Sequence, residues 1–286
     1  MIAAITWDID PYLVHFGDGG LRWYGLLWAI GIYVGWLLID RMFKHEHCPE
    51  NWSIYFFFWI TIGAFIGSRL GHCLFYGWQD GGNPYIEHPL RIMEVWKGGM
   101  SSHGSAVGMM IAAWLLNKYK FSRYPEYKTG WIWIIDRLGI ALCATGACIR
   151  FGNLMNSEVY GNPTDLPWGF IFARNGETVP CHPTQIYEIL TLVIALVILL
   201  FLYWKKDAGK REGMLAGLFG VMVFGSRFLI EFIKNDQEAF EAGLALNMGQ
   251  ILSIPIVLLG IYFIIRSYKR AKGERLKANG LHQADR

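Results

Sequence analysis

The chain has little charge and few cysteines, and it lacks the patterns typical of several functional classes. Charged residues make up only 17% of the 286 positions and the net charge is +3, which gives no indication of nucleic-acid binding. The five cysteines, an odd number, include no CxxC pair and predict no disulfide framework. The closest approach to a metal-binding group, His45 and His47 with Cys48, is best explained as a solvated turn. We therefore expect neither a metal nor a cofactor.

The N-terminal segment also lacks the basic start of a cleaved signal peptide. No Lys or Arg precedes Arg22, whereas Asp8, Asp10 and Asp18 do, so the first apolar run is predicted to remain as a membrane span. Internal repeats and low-complexity tracts are absent as well. These absences predict a single polytopic domain over residues 1–286.

Long apolar runs are abundant. Hydrophobic residues account for 53% of the chain and aromatic residues for 16%, which fits either a dense globular core or a membrane bundle. A helix needs about 20 apolar residues to cross the hydrocarbon core of a bilayer. Runs of about that length lie at 22–39, 53–76, 99–117, 131–149, 185–204, 213–233 and 247–266. The sequence therefore predicts an all-α polytopic membrane protein with about seven transmembrane helices.

Lysine and arginine are distributed unevenly between alternate loops. Most of them fall near residues 41–44, 118–128 and 205–211 and in the tail that follows Ile265. By the positive-inside rule, this distribution places the N-terminus outside and the C-terminus in the cytoplasm. The basic cytoplasmic tail, residues 267–286, is expected to contact anionic lipid of the inner leaflet.

Two segments depart from the pattern of regular spanning helices. Residues 98–105 read Gly-Gly-Met-Ser-Ser-His-Gly-Ser, and so many small residues predict a re-entrant or broken helix. A helix that starts there would direct free N–H groups and its positive dipole end into a cavity, which favours an anion. Residues 150–183 contain several prolines and glycines, and we predict that they form a small periplasmic head.

His103 is the best candidate for a general base. Imidazole is the side chain that titrates near neutrality when unperturbed, and this histidine lies in the glycine-rich segment that is expected to line a cavity. The alternative is a structural histidine that binds a backbone carbonyl in the bend.

Arg150 begins a polar run at the end of the fourth predicted span. Asn153, Asn156 and Glu158 follow it, and positions 150, 153 and 156 share one face if the start of the run is helical. This arrangement would gather a cation and two carboxamides at one end of the bundle. The alternative, an arginine that extends toward lipid headgroups, accounts for Arg150 but leaves the carboxamides unexplained.

Arg227 lies within an apolar segment, and Glu231 follows it by one helical turn. A guanidinium at membrane depth costs about 2.5 to 3.5 kcal/mol on insertion scales, so a polar partner is expected. A buried ion pair is one explanation, but one carboxylate cannot saturate five guanidinium donors, and the others could hold a phosphate bidentately. Phosphate-bearing lipid is therefore the favoured ligand. For Arg69, and for Asp136 with Arg137, structural pairing is favoured.

Five blocks of sequence contain these candidate residues. The longest is RFGNLMNSEVYG, from Arg150 to Gly161. The others are RWYGL from Arg22, GGMS from Gly98 leading to His103, HPTQIYE from His182, and RFLIEF from Arg227. In their order along the chain, and over nearly the whole predicted membrane domain, the five blocks resemble the bacterial prolipoprotein diacylglyceryl transferases.

The resemblance implies an enzyme that transfers the diacylglyceryl group of phosphatidylglycerol to the lipobox cysteine thiol of a prolipoprotein signal peptide. This reaction forms a thioether, releases glycerol phosphate and is the first step of lipoprotein maturation. The resemblance implies His103, Arg150 and Arg227 as catalytic residues. It also implies the residues that bind the lipid headgroup or line the cavity around it. They are Tyr24, Asn153, Asn156, Glu158, Gly161, His182, Gln185, Tyr187 and Glu231.

These implied roles match the chemistry that the reaction needs. A thiol with a pKa near 8.5 must lose its proton before it attacks, which His103 could assist. The departing phosphate gains charge that fixed arginines would stabilise. The expected location is the bacterial inner membrane, with the site toward the periplasmic leaflet. The alternative is a phospholipid or anion transporter, although the two related halves typical of many transporters are not found.

Overall fold

The computed structural model describes residues 5–17, 19–76, 78, 82–95, 98–127, 129–235 and 246–284. Its chain divides into two compact units. The small unit is Asp40–Ile135, and the main unit comprises Met1–Ile39 and Asp136–Arg286.

Helices form most of both units. In chain order they are α1 (Trp23–His45), α2 (Trp52–Gly71), α3 (Pro84–Glu87), α4 (Ser102–Tyr119), α5 (Trp131–Met155), α6 (Thr184–Lys206), α7 (Met214–Phe219), α8 (Gly225–Ile230) and α9 (Met248–Ala284). A π-helical turn, His72–Tyr76, continues α2, and another, Gly220–Phe224, joins α7 to α8. Short 3₁₀ turns lie at Pro89–Met93, Phe121–Arg123, Pro125–Tyr127, Ala173–Asn175, Ala208–Lys210 and Glu231–Ile233.

Six stretches of helix within the described residues are long and apolar enough to cross a membrane. They are Trp23–His45, Trp52–Phe75, Trp131–Met155, Thr184–Lys206, Met214–Ile233 and Met248–Gly273. The prediction of an all-α polytopic membrane protein is thereby confirmed. The seventh predicted span, 99–117, corresponds to α4, which is not among these six, because polar residues lie at both of its ends. The predicted count of about seven is not confirmed.

Four short strands accompany the helices, and the sequence did not predict them. β1 (Ile5–Trp7) pairs in parallel with β4 (Phe170–Phe172), and β2 (Tyr12–Phe16) forms a hairpin with β3 (Gly19–Arg22). The first pair packs on a small apolar core of the predicted head. This core consists of Leu154, Phe170, Phe172 and Cys181, with Trp7, Tyr160 and Ile186 packed against it.

A seam of glycines holds α2 against α4 in the small unit. Gly63, Gly67 and Gly71 of α2 recur every four residues and face Gly104 and Gly108 of α4. A Cβ added at Gly71 would lie 2.6 Å from the Cα atom of Gly104, so the two backbones are in contact. Small residues at this spacing allow transmembrane helices to approach closely without large side chains between them.

Candidate functional site

The described ends of α5, α6, α8 and α9 meet on one side of the main unit. The C-terminal ends of α5 and α8 lie beside the N-terminal ends of α6 and α9, as expected for successive helices that reverse direction. Five charged side chains from these ends form one connected set, which we call the charged cluster. Its members are Arg150, Glu188, Arg227, Glu231 and Lys234.

The polar run after Arg150 is positioned by the way in which α5 ends. Ser157 has a left-handed backbone, with φ of 55°. The N–H group of Glu158 donates to the carbonyl of Asn153 at 3.0 Å, and the N–H group of Ser157 donates to that of Leu154 at 3.0 Å. These two bonds form a Schellman motif, which closes a helix and turns the chain back over its last turn. The turn brings the Glu158 carboxylate to Asn153, whose Nδ2 donates to it at 2.6 Å.

Two buried side chains of α6 hold this turn. Val159 also has a left-handed backbone, with φ of 64°, which a β-branched residue rarely adopts. Gln185 Nε2 donates to the carbonyl of Glu158 at 2.7 Å, and Thr184 Oγ1 donates to the carbonyl of Val159 at 2.8 Å. Both side chains are fully buried. The structure therefore places Gln185 as a support of the Glu158 turn.

Arg150 lies between two polar partners. Its Nε atom is 2.7 Å from Glu188 Oε2, and its Nη1 atom donates to Asn153 Oδ1 at 3.1 Å. Asn153 and Asn156 both donate to the same oxygen of Glu158, at 2.6 and 3.4 Å. The predicted run is therefore helical at its start, and its members bind one another. Arg150 does not extend alone toward headgroups.

Arg227 and Glu231 form the predicted pair. The distance from Arg227 Nε to Glu231 Oε1 is 3.3 Å. Within the described chain, the two terminal nitrogens of Arg227 have no protein partner. Its side chain is 25% exposed, whereas that of Glu231 is 6% exposed. Arg227 therefore keeps its two terminal nitrogens available as donors while its acid partner is enclosed.

Helix α9 encloses the other side of Glu231. Asn247 and Gln250 form a capping box at the start of α9, with Gln250 N donating to Asn247 Oδ1 at 2.9 Å. Asn247 Nδ2 also donates to Glu231 Oε2 at 3.2 Å. A Cβ at Gly249 would lie 2.5 Å from Glu231 Oε1, so only glycine leaves room for this approach. The positive end of α9 thus stabilises the carboxylate.

Lys234 and Glu188 complete the charged cluster, and neither was among the predicted site residues. Lys234 Nζ lies 3.3 Å from Glu188 Oε1 and 3.4 Å from Glu231 Oε1. Its side chain is only 1% exposed. Burial lowers the pKa of Lys234, and the nearby Glu188 carboxylate acts in the opposite direction. A lysine at the end of an apolar run is expected in a loop at the membrane surface, but its position three residues after Glu231 is a signal that the two can pair.

His182 and Tyr187 lie at the start of α6. Pro183 is the N-cap residue of this helix, although a proline before an apolar run commonly takes the first helical position. His182 Nδ1 is 3.2 Å from the hydroxyl of Tyr187, which also accepts a bond from Trp168 Nε1 at 2.9 Å. Burial lowers the pKa of His182 below its usual value. Burial therefore favours the neutral form of the ring.

Gly161 and Tyr24 both lie next to segments that carry members of the charged cluster. Gly161 forms an antiparallel bridge with Lys234, and a Cβ there would lie 2.8 Å from Thr184 Cγ2. The ring of Tyr24 packs closely on Gly152 of α5. A Cβ added at Gly152 would lie only 2.9 Å from Cδ2 of this ring. Gly161 therefore serves a close backbone approach, and Tyr24 lies against the helix that carries Arg150 and Asn153.

His103 belongs to the small unit, at the start of α4. The N-cap Ser101 accepts a hydrogen bond from Gly104 N at 3.3 Å, which places His103 in the first turn. Gly98 and Gly99 precede it with left-handed backbones, φ of 82° and 79°. The predicted break and the predicted helix start are thus both present. The convergence of His103 with Arg150 and Arg227 stays a prediction.

Arg69 fixes the loop before α4. It is 4% exposed and donates to the carbonyls of Arg91, Ile92, Glu94, Gly98 and Gly99, at 2.5 to 3.3 Å. Asp136 is fully buried and accepts from Gly213 N and Ala216 N, at 2.8 Å each, at the start of α7. Both side chains thus bind backbone groups, and Arg137 Nη2 donates to the carbonyl of Gly209 at 3.1 Å. That their roles are structural stays a prediction.

Comparison with known proteins agrees with this architecture. Residues 11–266 match the family model for prolipoprotein diacylglyceryl transferase. The chain belongs to this family. It is 42% identical to the phosphatidylglycerol-prolipoprotein diacylglyceryl transferase of Porphyromonas gingivalis, over 96% of this chain and 98% of that protein. The enzymes of the same name from Chloroherpeton thalassium and Tolumonas auensis are each 40% identical, over 95% and 93% of this chain and 97% and 98% of theirs.

As a member of the prolipoprotein diacylglyceryl transferase family, the protein combines in its main unit most of the residues that the sequence singled out. Arg150, Asn153, Asn156 and Glu158 form one hydrogen-bonded group, and Arg227 with Glu231 forms another. Glu188 and Lys234 join the two groups. Such an arrangement can hold an anionic group against fixed guanidinium donors.

Proposed function

We propose that this protein transfers the diacylglyceryl group of phosphatidylglycerol to the lipobox cysteine of a prolipoprotein. The cysteine sulfur attacks the carbon of the diacylglyceryl group that is bonded to the phosphate oxygen. The new C–S bond forms as this C–O bond breaks, and glycerol phosphate departs with the bonding electrons. The thiol proton leaves the sulfur through a base. The nucleophile comes from the substrate, so the enzyme needs no reactive cysteine or serine of its own.

One observation carries the proposal for the lipid site. Arg227 is anchored through Nε by Glu231 at 3.3 Å, and in the described part of the chain neither of its terminal nitrogens has a protein partner. Those two nitrogens form the planar fork that binds a phosphate bidentately. Arg150, fixed by Glu188 at 2.7 Å, supplies a second guanidinium in the same cluster. Fixed cations of this kind stabilise the charge that develops on a departing phosphate.

We assign the proton transfer to His103 in the first turn of α4. The N-terminal end of this helix carries a positive dipole, which stabilises a thiolate beside it. The remaining polar residues around Arg150, namely Asn153, Asn156 and Glu158, bind the glycerol hydroxyls of the headgroup. The site faces the periplasmic leaflet of the inner membrane, where both the lipid and the signal peptide enter from the bilayer.

The direct test is turnover by the purified protein in mixed micelles. Phosphatidylglycerol and a synthetic lipobox peptide are supplied, and mass spectrometry measures the gain of one diacylglyceryl group on the peptide. A peptide with serine in place of the lipobox cysteine is the control for the position of the bond, and phosphatidylethanolamine is the control for the headgroup. Equal amounts of thioether peptide and free glycerol phosphate are expected only with the cysteine peptide and phosphatidylglycerol.

A peptide that stays unmodified while reconstituted protein moves phosphatidylglycerol between leaflets would replace the transferase with a transporter. A peptide that is acylated through an ester would likewise contradict the proposed bond.

A further inference from the structure

Lys234 connects two ion pairs that would otherwise be separate. One pair is Arg150 with Glu188, at 2.7 Å, and the other is Arg227 with Glu231, at 3.3 Å. Lys234 Nζ reaches one oxygen of each acid, at 3.3 and 3.4 Å. The five side chains therefore form an unbranched series in which cations and anions alternate, with an arginine at each end.

The backbone of Lys234 is fixed independently of its charge. Lys234 pairs with Gly161 in an antiparallel bridge, and Asn162 N donates to the carbonyl of Ile233 at 2.9 Å. The absence of a side chain at Gly161 allows this approach, since a Cβ there would overlap the backbone carbonyl oxygen of Ile233. The head segment thus holds the ammonium group between the two carboxylates.

The ion-paired series has one positive charge in excess. It contains three cations and two carboxylates, and all five side chains are at most 25% exposed. Among the described residues, Glu158 makes no ion pair with a member of the series; its carboxylate keeps its own charge and is connected to Arg150 through Asn153. Poorly solvated charge attracts a counterion strongly. A phosphodiester carries a single negative charge and would neutralise the series.

We propose that Lys234 is a positioning residue for phosphatidylglycerol. It fixes the spacing of the two arginines through their acid partners, and it supplies the excess charge that the lipid phosphate neutralises. This inference rests on the proposed function, because it assigns the arginines to the phosphate. Without Lys234, Glu188 and Glu231 would repel each other, and the series would carry no net charge to attract the lipid.

The test compares Lys234→Met, Lys234→Gln and Lys234→Arg with the wild type in mixed micelles. We expect the two neutral variants to raise the KM for phosphatidylglycerol, expressed as mole fraction, by about 10-fold to 100-fold, because a buried charge pair loses its partner. The KM for the lipobox peptide should stay within about twofold. Lys234→Arg retains the charge and enough donors for both acids, so it should recover most of the activity.

Lys210→Met is the matched control. Lys210 pairs with Asp207 at 3.0 Å, but its side chain is 78% exposed, so its removal should leave both KM values unchanged. Unchanged KM values in a folded neutral variant would overturn the proposal. So would equal rises in both KM values, or the failure of both neutral variants to fold, because each would give Lys234 a structural role. A wild type that makes no thioether would instead refute the proposed function itself.

Discussion

Arg227 and Glu231 lie one helical turn apart, and their ion pair joins Nε of the guanidinium to Oε1 of the acid at 3.3 Å. This geometry predicts that Arg227→Lys is not a conservative change. Lysine would keep the charge but lose the planar pair of terminal donors. We expect kcat/KM to fall by about 100-fold in the thioether assay, comparable to the loss of one transition-state donor.

Arg270→Lys is the control for this substitution. Arg270 pairs with Glu212 at 2.6 Å through an exposed side chain, and its replacement should leave the rate unchanged. Wild-type turnover in a folded Arg227→Lys variant would remove Arg227 from the lipid site.

His103→Asn is expected to lower the rate at pH 7 while the fold is retained. Asparagine can form hydrogen bonds but cannot accept the thiol proton, and loss of a general base typically lowers a rate by about 100-fold to 10,000-fold. The initial rate of thioether formation is the measurement, and His88→Asn, at an exposed histidine, is the control. Retention of most of the rate would give His103 a structural role.

His182 predicts a specific dependence of stability on pH. Its pKa in the native state is lowered by burial, so as pH falls below about 6.5 the unfolded chain takes up a proton first. The contribution to stability is therefore complete above about 6.5 and is lost as pH falls through the native pKa. The melting temperature of the wild type should fall more between pH 7 and pH 5 than that of His182→Gln. Equal falls in the two proteins would contradict the assignment.

Gly161→Ala should destabilise the protein and reduce its activity. The added methyl group would overlap the carbonyl oxygen of Ile233 and lie 2.8 Å from Thr184 Cγ2, so the backbone segment that carries Lys234 must move. Forced packing of this kind costs about 1 to 3 kcal/mol. Thermal unfolding and the thioether assay measure the two effects. Gly273→Ala, inside α9 and with nothing within 4 Å of the added Cβ, should leave the activity unchanged and should not lower the stability.

Much of the site could be predicted because its residues are close in sequence. The spacing of Arg227 and Glu231 on one helix, and the run from Arg150 to Glu158, follow from helical periodicity. Lys234 was missed because a lysine after an apolar run is usually an interfacial loop residue. Its burial depends on the bridge to Gly161, which is distant in sequence.

The details of the fold were harder to infer for different reasons. β1 and β4 are three residues each, too short for alternation to reveal them. The end of α5 uses Ser157 in a left-handed conformation, where glycine is the usual signal. The recurrence of Gly63, Gly67 and Gly71 every four residues was visible in the sequence and could have predicted the α2–α4 contact.

The alternating acidic and basic side chains of the charged cluster also affect the stability of the lipid-free protein in the bilayer. A lone guanidinium in hydrocarbon costs several kcal/mol, but Arg150 and Arg227 each have their own carboxylate within the same bundle. Membrane insertion and folding therefore need not await a bound lipid. Between successive turnovers the protein can therefore stay assembled without a phospholipid to neutralise its arginines.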